Sequence, residues 1–246
     1  MPLISIVIAT YNVENDLVKC LNSIISQQKD IAEILIIDGG STDNTVQIIE
    51  QNHKYISYWV SEPDMGIYDA WNKGISKAAG DWIMFLGADD LLVENALALY
   101  NNYIENNNSD LEFISAKVQM VDVHNNPIRI KGGPFKWPLF LKLMTVAHPG
   151  SLHSRSLFEK YGKFNTDIKI VGDYEFLLRA GSSLKYTFIN SVTVRMRVGG
   201  VSDSSAALFE HYKVVTEIAN YPKIPAFVNL IVAYLKFVVR KIIKLV

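Results

Sequence analysis

The chain has 246 residues, of which 49% are hydrophobic and 20% are charged, so it is neither disordered nor of low complexity. Its 24 basic and 25 acidic side chains nearly cancel, which argues against a broad nucleic-acid-binding surface. One cysteine, Cys20, can form neither an internal disulfide nor a cysteine-based zinc site, so a cytosolic setting is the default expectation.

The first hundred residues predict alternating strands and helices. The opening run 3–9 is rich in Ile and Val, as in a buried strand, and apolar residues recur at helical spacing over 14–27. Because apolar strands joined by crossover helices are usually parallel, we predict an α/β fold. The predicted strands are 3–9, 34–37, 56–60 and 82–86, and the predicted helices are 14–27, 42–51 and 68–79, the last closed by Gly80.

Residues 101–221 predict a more mixed arrangement. A turn at 125–126 separates two predicted strands, and an aromatic-rich stretch covers 134–144. The predicted strands are 113–121, 127–130, 185–189 and 192–197, and the predicted helices are 156–161, 173–180 and 206–219. Because no long linker divides the chain, we predict one domain over 1–221, followed by a tail at 222–246.

Acidic side chains follow the predicted strands of the first half, at the edge where the carboxyl ends of parallel strands meet. Asp38, Asp64, Asp89 and Asp90 are expected to share one crevice there. Neighbouring carboxylates repel each other unless a cation lies among them, and oxygen ligands suit Mg²⁺ or Mn²⁺, which also bind phosphate oxygens. For Asp89 and Asp90, the alternative is a solvated turn or the N-cap of a helix over 91–100.

Four motifs occur in a fixed order along the chain: SIVIATYN at 5–12, IDGGSTD at 37–43, FLGADD at 85–90 and GDYE at 172–175. Together they resemble the family-2 glycosyltransferases, over residues 1 to about 205. The block SEPDMGIYDAWNKG at 61–74 resembles a branch of that family found in bacterial O-antigen, capsule and exopolysaccharide synthesis.

The resemblance implies the GT-A fold, which is a single mixed, mostly parallel sheet flanked by helices. Its Rossmann-like half, at 1–100, would bind the nucleotide-sugar donor, and its second half, at 101–221, would bind the acceptor. Thr10, Tyr11 and Asp38 map to the positions that hold the nucleotide. The Tyr11 ring suits stacking on a base, and the Asp38 carboxylate suits the imide hydrogen of uracil or the amino hydrogens of other bases. The alternative is a packed aromatic ring and an Asp-Gly-Gly turn.

The resemblance also implies that Asp89 and Asp90 hold a divalent metal, Mn²⁺ or Mg²⁺, against the donor diphosphate, with Asp89 touching the donor as well. Two positions depart from the family pattern: Gly87 stands where many members have Asp, and Gly39 stands where a second Asp is frequent. Two carboxylates, two phosphate oxygens and water can still complete an octahedral shell. We therefore expect the protein to have low affinity for metal in the absence of nucleotide.

Asp173 maps to the catalytic base of inverting members, which takes the proton from the acceptor hydroxyl. The alternative for this residue is capping of a helix N-terminus. Several other polar residues carry weaker expectations, and for each a structural role is the alternative. Asp64 would bind the nucleotide sugar, and Asp69 and Asn72 lie on a predicted helix that would border the donor sugar. Arg197 would contact the diphosphate, and His148 would bind acceptor hydroxyls.

The tail at 226–246 would be about 32 Å long as a helix, which is long enough to cross a bilayer. However, Lys236, Arg240 and Lys244 recur every four residues, with Lys241 beside them, and charges are costly in hydrocarbon. We therefore expect a helix that lies in the membrane interface with its basic side chains toward anionic headgroups. Packing against the body or against a dimer partner is the alternative.

The sequence thus predicts a metal-dependent, inverting glycosyltransferase at the cytoplasmic face of a bacterial inner membrane. It would transfer a hexosyl or N-acetylhexosaminyl group from a nucleotide sugar, with UDP favoured, to a lipid-linked or growing surface glycan. Two alternatives stay open. One is a retaining transferase or a nucleotidyltransferase in the same crevice, and the other is a non-catalytic nucleotide-sugar-binding module anchored by its tail. The oligomeric state also stays open.

Overall fold

A nine-stranded sheet organises the computed structural model, which describes residues 3–28, 30–106, 110–200 and 202–243. The strands are β1 (Ile4–Thr10), β2 (Ala32–Asp38), β3 (Tyr58–Ser61), β4 (Trp82–Gly87), β5 (Leu91–Leu92), β6 (Phe113–Val121), β7 (Pro127–Lys131), β8 (Ser151–Ser154) and β9 (Tyr186–Arg197). The α-helices of these ranges are α1 (Leu17–Gln28), α2 (Thr45–Gln51), α3 (Ile67–Lys77), α4 (Ala96–Asn106), α5 (Trp137–Phe140), α6 (Arg155–Tyr161), α7 (Gly172–Ala180), α8 (Ser205–Glu217) and α9 (Lys223–Ile243).

The strand order is β3-β2-β1-β4-β8-β6-β9-β5, with β7 paired to the far end of β6. Strands β1, β2, β3, β4, β6 and β9 run in one direction, and β5, β7 and β8 run in the other. This arrangement confirms the predicted mixed, mostly parallel sheet flanked by helices. Strands from both halves of the chain join one sheet, because β8 bridges β4 and β6.

Each face of the sheet has its own hydrophobic core, as the alternation of side chains along a strand requires. From β1, Ile4, Ile6 and Ile8 point into a core that is completed by α1, α2 and α4. Val7 points into the opposite core, which is completed by α3, α6, α7 and α8. Helix α3 packs closely on β1 at Gly74, where an added Cβ would lie 2.3 Å from a methyl group of Val7. The sheet is therefore covered on both faces, and the crevice lies at its edge.

The strand register fixes which loops meet at that edge. Thr10 pairs with Asp38, and Asp38 pairs with Ser61, so β1, β2 and β3 end level with one another. On the other side of β1, Ala9 pairs with Gly87, the last residue of β4. The loops that follow these four strands therefore start from one rim.

Some predicted boundaries were wrong for identifiable reasons. Leu91 and Leu92 pair with β9 rather than starting a helix, which begins only at Ala96. The predicted strands at 185–189 and 192–197 are one strand, because Ile189 and Val192 pair with consecutive residues of β6 and form a bulge. Strand β8 was missed because its four residues, Ser-Leu-His-Ser, are all buried and show no alternation. Helix α3 ends at Lys77, before the predicted closure at Gly80.

The tail forms the long helix α9, which packs on α8 through buried Ala226 and partly buried Leu230. Arg240 and Lys241 both contact Asp203 of the body, with Lys241 Nζ 3.4 Å from the carboxylate. Among the residues that the structure describes, no helix is both long and apolar enough to cross a membrane. The predicted basic position Lys244 lies outside the described residues.

Candidate active site

The buried carboxylate of Asp38 lies at the bottom of the crevice and accepts five hydrogen bonds. One oxygen, Oδ1, accepts from the hydroxyls of Thr10 at 2.8 Å and Ser41 at 2.5 Å. The other, Oδ2, accepts from the Ser61 hydroxyl at 2.7 Å and from the N–H groups of Gly40 at 3.1 Å and Ser41 at 2.8 Å. Burial acts to raise the pKa of Asp38, but these hydrogen bonds outweigh it and hold the pKa below its usual value.

This bonding pattern bears on the predicted nucleotide contacts. Asp38 has no exposed surface and Thr10 is 3% exposed, so both side chains hold the loops together beneath the crevice. The Tyr11 ring, by contrast, is 63% exposed on the rim and is free to stack on a base. Base recognition by Asp38 stays a prediction, and it would require some of the five hydrogen bonds to be exchanged.

Asp64 lies against Gly39, at one of the two positions that depart from the family pattern. An added Cβ on Gly39 would lie 2.7 Å from Asp64 Oδ2 and 3.5 Å from the ring of Tyr11. The other Asp64 oxygen accepts the N–H of Gly66 at 2.8 Å, which holds the carboxylate in place. The Asp64 carboxylate therefore occupies the space that a side chain at position 39 would need.

Asp89 and Asp90 converge over Gly87, the other departure from the pattern. An added Cβ on Gly87 would lie 3.0 Å from Asp89 Oδ1 and 2.9 Å from Asp90 Oδ2. Asp90 is 4% exposed, and its Oδ1 accepts the N–H of Arg197 at 3.1 Å. Burial first, and then the charge of Asp89, raise the pKa of Asp90 to about 8, and burial also raises the pKa of Asp89. Beneath them, the buried thiol of Cys20 contacts the carbonyl oxygen of Gly87 at 3.5 Å.

This pair fits a hard divalent cation. Oxygens of exposed Asp89 and buried Asp90 converge on one cradle, and the charge of Asp89 helps to raise the pKa of Asp90, an unfavourable interaction that a cation would relieve. Within 3–28, 30–106, 110–200 and 202–243, no cluster of three or more His, Cys, Asp or Glu side chains is placed to hold a metal by itself. Asp89 and Asp90 would therefore hold the ion only together with donor phosphate oxygens and water.

Arg197 tethers the loop that follows β1. Its guanidinium makes a two-pronged contact with Asp16, with Nη1 2.5 Å and Nη2 2.7 Å from the carboxylate oxygens. Since its backbone N–H binds Asp90, Arg197 joins the acidic pair to that loop. The sequence prediction missed Asp16, and no local pattern could have revealed a partner 181 positions away. A contact between Arg197 and the diphosphate stays a prediction.

The polar residues of α3 are already engaged. Asp69 accepts the N–H of Met65 at 3.2 Å and lies 3.6 Å from Lys73 Nζ, which contacts Glu62 at 2.8 Å. Asn72 makes paired hydrogen bonds with the backbone of Phe164, at 2.9 Å to its oxygen and 3.0 Å from its nitrogen. Contacts of Asp69 and Asn72 with the donor sugar stay predictions. For Asn72, they would compete with its two hydrogen bonds to the Phe164 backbone.

His148 lies in an aromatic cluster rather than on an open surface. Its ring stacks on Trp71 and Phe85, with centroids 5.0 Å and 5.6 Å apart, and it is 5% exposed. Burial lowers the pKa of His148 to about 3, so the ring is neutral at physiological pH. The predicted contact with acceptor hydroxyls therefore has no support from the position of the side chain.

Asp173 lies in the first turn of α7, beside Tyr68 of α3. The Tyr68 hydroxyl is 2.8 Å from the carbonyl oxygen of Ile170 and 3.3 Å from Asp173 Oδ1, so its one proton serves either acceptor. Gly172 is needed for this approach, since an added Cβ would lie 2.8 Å from the Tyr68 ring. Burial raises the pKa of Asp173 to about 6. A carboxylate with this pKa is ionised at neutral pH and is a stronger base than an exposed Asp.

Residues 5–168 match the family model described as "Glycosyl transferase family 2". The chain belongs to glycosyl transferase family 2. Among its relatives, the "PGL/p-HBAD biosynthesis glycosyltransferase" of Mycobacterium bovis is 33% identical over 189 residues, which are 74% of this chain and 71% of the relative. The chondroitin synthase of Escherichia coli is 26% identical over 228 residues, which are 88% of this chain but 32% of the synthase.

Solved structures share the fold of this family-2 glycosyltransferase. S. aureus TarS aligns with a TM-score of 0.67 at 17% identity, over 94% of this chain and 69% of the TarS chain. TarS has also been solved with UDP and with UDP-GlcNAc. The mannosyltransferase PcManGT from Pyrobaculum calidifontis, solved with GDP-Man and Mn²⁺, aligns with a TM-score of 0.63 at 18% identity, over 88% of this chain and 62% of that chain. The chain therefore has the GT-A fold, and it is a glycosyltransferase that uses a nucleotide-sugar donor.

Replacing Asp38 by Asn tests its role in holding the glycosyltransferase crevice together. The NH₂ group of the substituted side chain would face hydrogen-bond donors, so we expect unfolding to require about 3 kcal/mol less in urea titrations at pH 7. The control Asp64→Asn, with one backbone hydrogen bond, should lose under about 1 kcal/mol. Because the folded-state pKa of Asp38 is lowered, its contribution is present above its unfolded pKa and is lost as pH falls through the folded pKa. The gap between wild type and variant should therefore shrink in acid, and a constant gap would contradict the assignment.

Proposed function

We propose that this glycosyltransferase is an inverting enzyme. It transfers a hexosyl or N-acetylhexosaminyl group from a UDP-sugar to a lipid-linked or growing surface-polysaccharide acceptor in a bacterium. The observation that carries this proposal is the position of Asp173. It is a carboxylate with a raised pKa at the start of α7, and it accepts a hydrogen bond from Tyr68 of α3. The chondroitin synthase relative supports a polysaccharide acceptor, and the TarS complexes support a UDP-sugar.

In this reaction, the acceptor hydroxyl oxygen attacks the anomeric carbon of the donor sugar. A new carbon–oxygen bond forms as the bond to the nucleotide diphosphate breaks on the opposite face, so the anomeric configuration inverts. The hydroxyl proton passes to the carboxylate of Asp173, and the electron pair of the broken bond leaves with the diphosphate. The Tyr68 hydroxyl, shared with Ile170, restrains the orientation of that carboxylate.

In this proposal, the donor binds to the loops that follow β1, β2, β3 and β4. The exposed ring of Tyr11 stacks on the base, and Asp64 lies beside it. Asp89 and Asp90 would hold Mn²⁺ or Mg²⁺, and the bound ion would neutralise charge on the diphosphate. The Mn²⁺ in the PcManGT complex supports this assignment. Since GDP-Man is the donor in that complex, the choice between UDP and GDP needs a direct test.

Calorimetric titration with UDP and GDP, each with and without Mn²⁺, tests the donor site. We expect UDP to bind more tightly than GDP, and Mn²⁺ to strengthen binding at least about tenfold. Asp89→Asn/Asp90→Asn should abolish the effect of Mn²⁺, because neutral amides do not offset the charge of the ion. The control Asp110→Asn changes an exposed carboxylate elsewhere and should behave as wild type. Equal UDP affinity with and without Mn²⁺ would contradict metal dependence.

Replacing Asp173 by Asn tests the base. We expect kcat to fall about 100-fold to 10,000-fold while UDP affinity stays within about twofold, because the step lost is proton removal. The control Asp167→Asn changes an exposed residue of the preceding loop and should keep full activity. Wild-type kcat should rise with pH through about 6, because the base must be ionised. Retention of the anomeric configuration in the product, read by NMR, would contradict the inverting mechanism.

We also place the enzyme at the cytoplasmic face of the bacterial inner membrane, bound through α9. The outward face of this helix is apolar and exposed, and it includes Phe227, Val228, Ile231, Leu235 and Val239. No acidic residue follows Glu217, so all the charged side chains of the helix are basic. The structure changes one detail of the expected geometry, because Arg240 and Lys241 contact Asp203 and the apolar side chains form the outer face. Such a face suits shallow insertion among anionic lipids.

Vesicle co-sedimentation tests this attachment. We expect the protein to bind phosphatidylglycerol vesicles more strongly than phosphatidylcholine vesicles, and Ile231→Glu/Leu235→Glu to weaken binding at least about tenfold, since two apolar anchors are lost. The control Ile128→Glu/Ile130→Glu changes two side chains of similar exposure on β7 and should bind normally. Unchanged vesicle binding by the α9 variant would contradict the attachment. If wild type is a dimer and the α9 variant is a monomer, α9 is a surface for a partner chain instead.

A further inference from the structure

Helix α7, which carries Asp173, begins without a capping side chain of its own. The residue before it is Val171, whose apolar side chain accepts no hydrogen bond. The loop that leads into the helix, 165–171, has no regular secondary structure. Exposed or buried, backbone N–H groups at such a helix start need acceptors from elsewhere.

Glu210 of α8 supplies those acceptors. Its Oε1 accepts the N–H of Lys169 at 2.8 Å, and its Oε2 accepts the N–H groups of Ile170 at 2.7 Å and Val171 at 2.8 Å. One carboxylate thus binds three consecutive backbone donors immediately before α7. Short contacts between an ionised acceptor and N–H groups are stronger than those between neutral groups. The negative charge also lies at the positive end of the α7 dipole.

The same loop is held from the opposite side by α3. The Tyr68 hydroxyl is 2.8 Å from the carbonyl oxygen of Ile170, whose N–H group binds Glu210. Next along α8, the ring of His211 stacks on Tyr174, the neighbour of Asp173, with centroids 4.6 Å apart. Tyr68 of α3 and Glu210 of α8 therefore bind the same peptide group, which joins Ile170 to Val171. The orientation of the first turn of α7 follows from these contacts.

We propose that Glu210 is a positioning residue for the transfer reaction: its carboxylate holds the 169–171 backbone so that Asp173 is presented correctly to the acceptor hydroxyl. The inference rests on the proposed function for its catalytic part, and on the three hydrogen bonds for its structural part. A small displacement of a catalytic group is costly, since an error of about 1 Å in placement can lower a rate about 100-fold.

The charge of Glu210 acts on the base as well. Burial is the main cause of the raised pKa of Asp173, and the negative charge of Glu210 adds to it. Tyr68, the other titratable side chain facing Asp173, stays neutral, because burial raises its pKa far above the physiological range. From α6, which also packs on α7, no titratable side chain of the described residues is among the main influences on the pKa of Asp173. Removing the charge at 210 should therefore lower the pKa of Asp173.

Two substitutions separate geometry from charge. Glu210→Gln keeps the size of the side chain but removes the charge and one acceptor oxygen, so it cannot serve all three N–H groups. Glu210→Asp keeps the charge but is one methylene shorter. The matched control is Glu217→Gln, the same change at an exposed position of the same helix. All are studied in the full chain, with UDP and Mn²⁺ binding measured alongside turnover.

The first readout is backbone hydrogen exchange, which does not depend on activity. In Glu210→Gln, we expect the amides of 169–171 to exchange at least about tenfold faster than in wild type, while Glu217→Gln matches wild type. Equal protection of these amides in Glu210→Gln and wild type would overturn the proposal at its structural step. If Glu210→Gln does not fold, the milder Glu210→Asp gives the same test, with a smaller increase expected.

The second readout is kinetic. We expect kcat to fall about 10-fold to 100-fold in Glu210→Gln with UDP affinity within about twofold of wild type, and the acid limb of its pH profile to move to lower pH. Glu210→Asp should lose less activity and keep the wild-type acid limb. Faster amide exchange with unchanged kcat would overturn the positioning role. Absence of transfer by wild type, with the expected amide protection intact, would instead contradict the proposed function and leave the loop contact established.

Discussion

The whole crevice depends on one buried charge, the carboxylate of Asp38. A carboxylate without exposed surface is costly unless hydrogen bonds replace its lost water, and here three hydroxyls and two N–H groups do so. Those groups come from β1, from β3 and from the loop after β2, so satisfying the charge also locks three neighbouring segments. The parallel register brings the segments level, and the carboxylate then joins them. Tyr11, whose ring is exposed, is the residue directly after β1, one of these segments.

Neighbouring carboxylates occupy the space beside the two glycines that depart from the family pattern. The glycines at 39 and 87 stand where acidic residues occur in many family members, yet neither opens an empty gap. The carboxylate of Asp64 fills the room beside Gly39, and the oxygens of Asp89 and Asp90 close over Gly87. The crevice keeps a dense set of acidic groups, supplied by neighbouring positions.

Local patterns were sufficient to predict the sheet and the edge at which the acids gather, because parallel strands of buried residues and helical spacing are both short-range signals. Partnerships across long stretches of chain left no such signal. Arg197 with Asp16, and Glu210 with the loop before α7, depend on how distant elements pack. The same limit explains His148, a candidate acceptor contact whose neighbours Trp71 and Phe85 lie far away in sequence and bury its ring. Strands β5 and β8 were missed because their pairing partners, rather than their own residues, define them.

The position of Cys20 has a practical consequence for studying motion in this enzyme. The only thiol of the chain is fully buried beneath Gly87, and burial, followed by the charges of Asp90 and Asp89, raises its pKa well above the usual value. Such a thiol reacts slowly with alkylating and maleimide reagents, which require an accessible thiolate. A cysteine introduced on the surface can therefore carry a fluorophore or spin label selectively in the otherwise native chain. Pairs of probes across the crevice would then measure its width with and without bound donor, without disturbing the residues that form it.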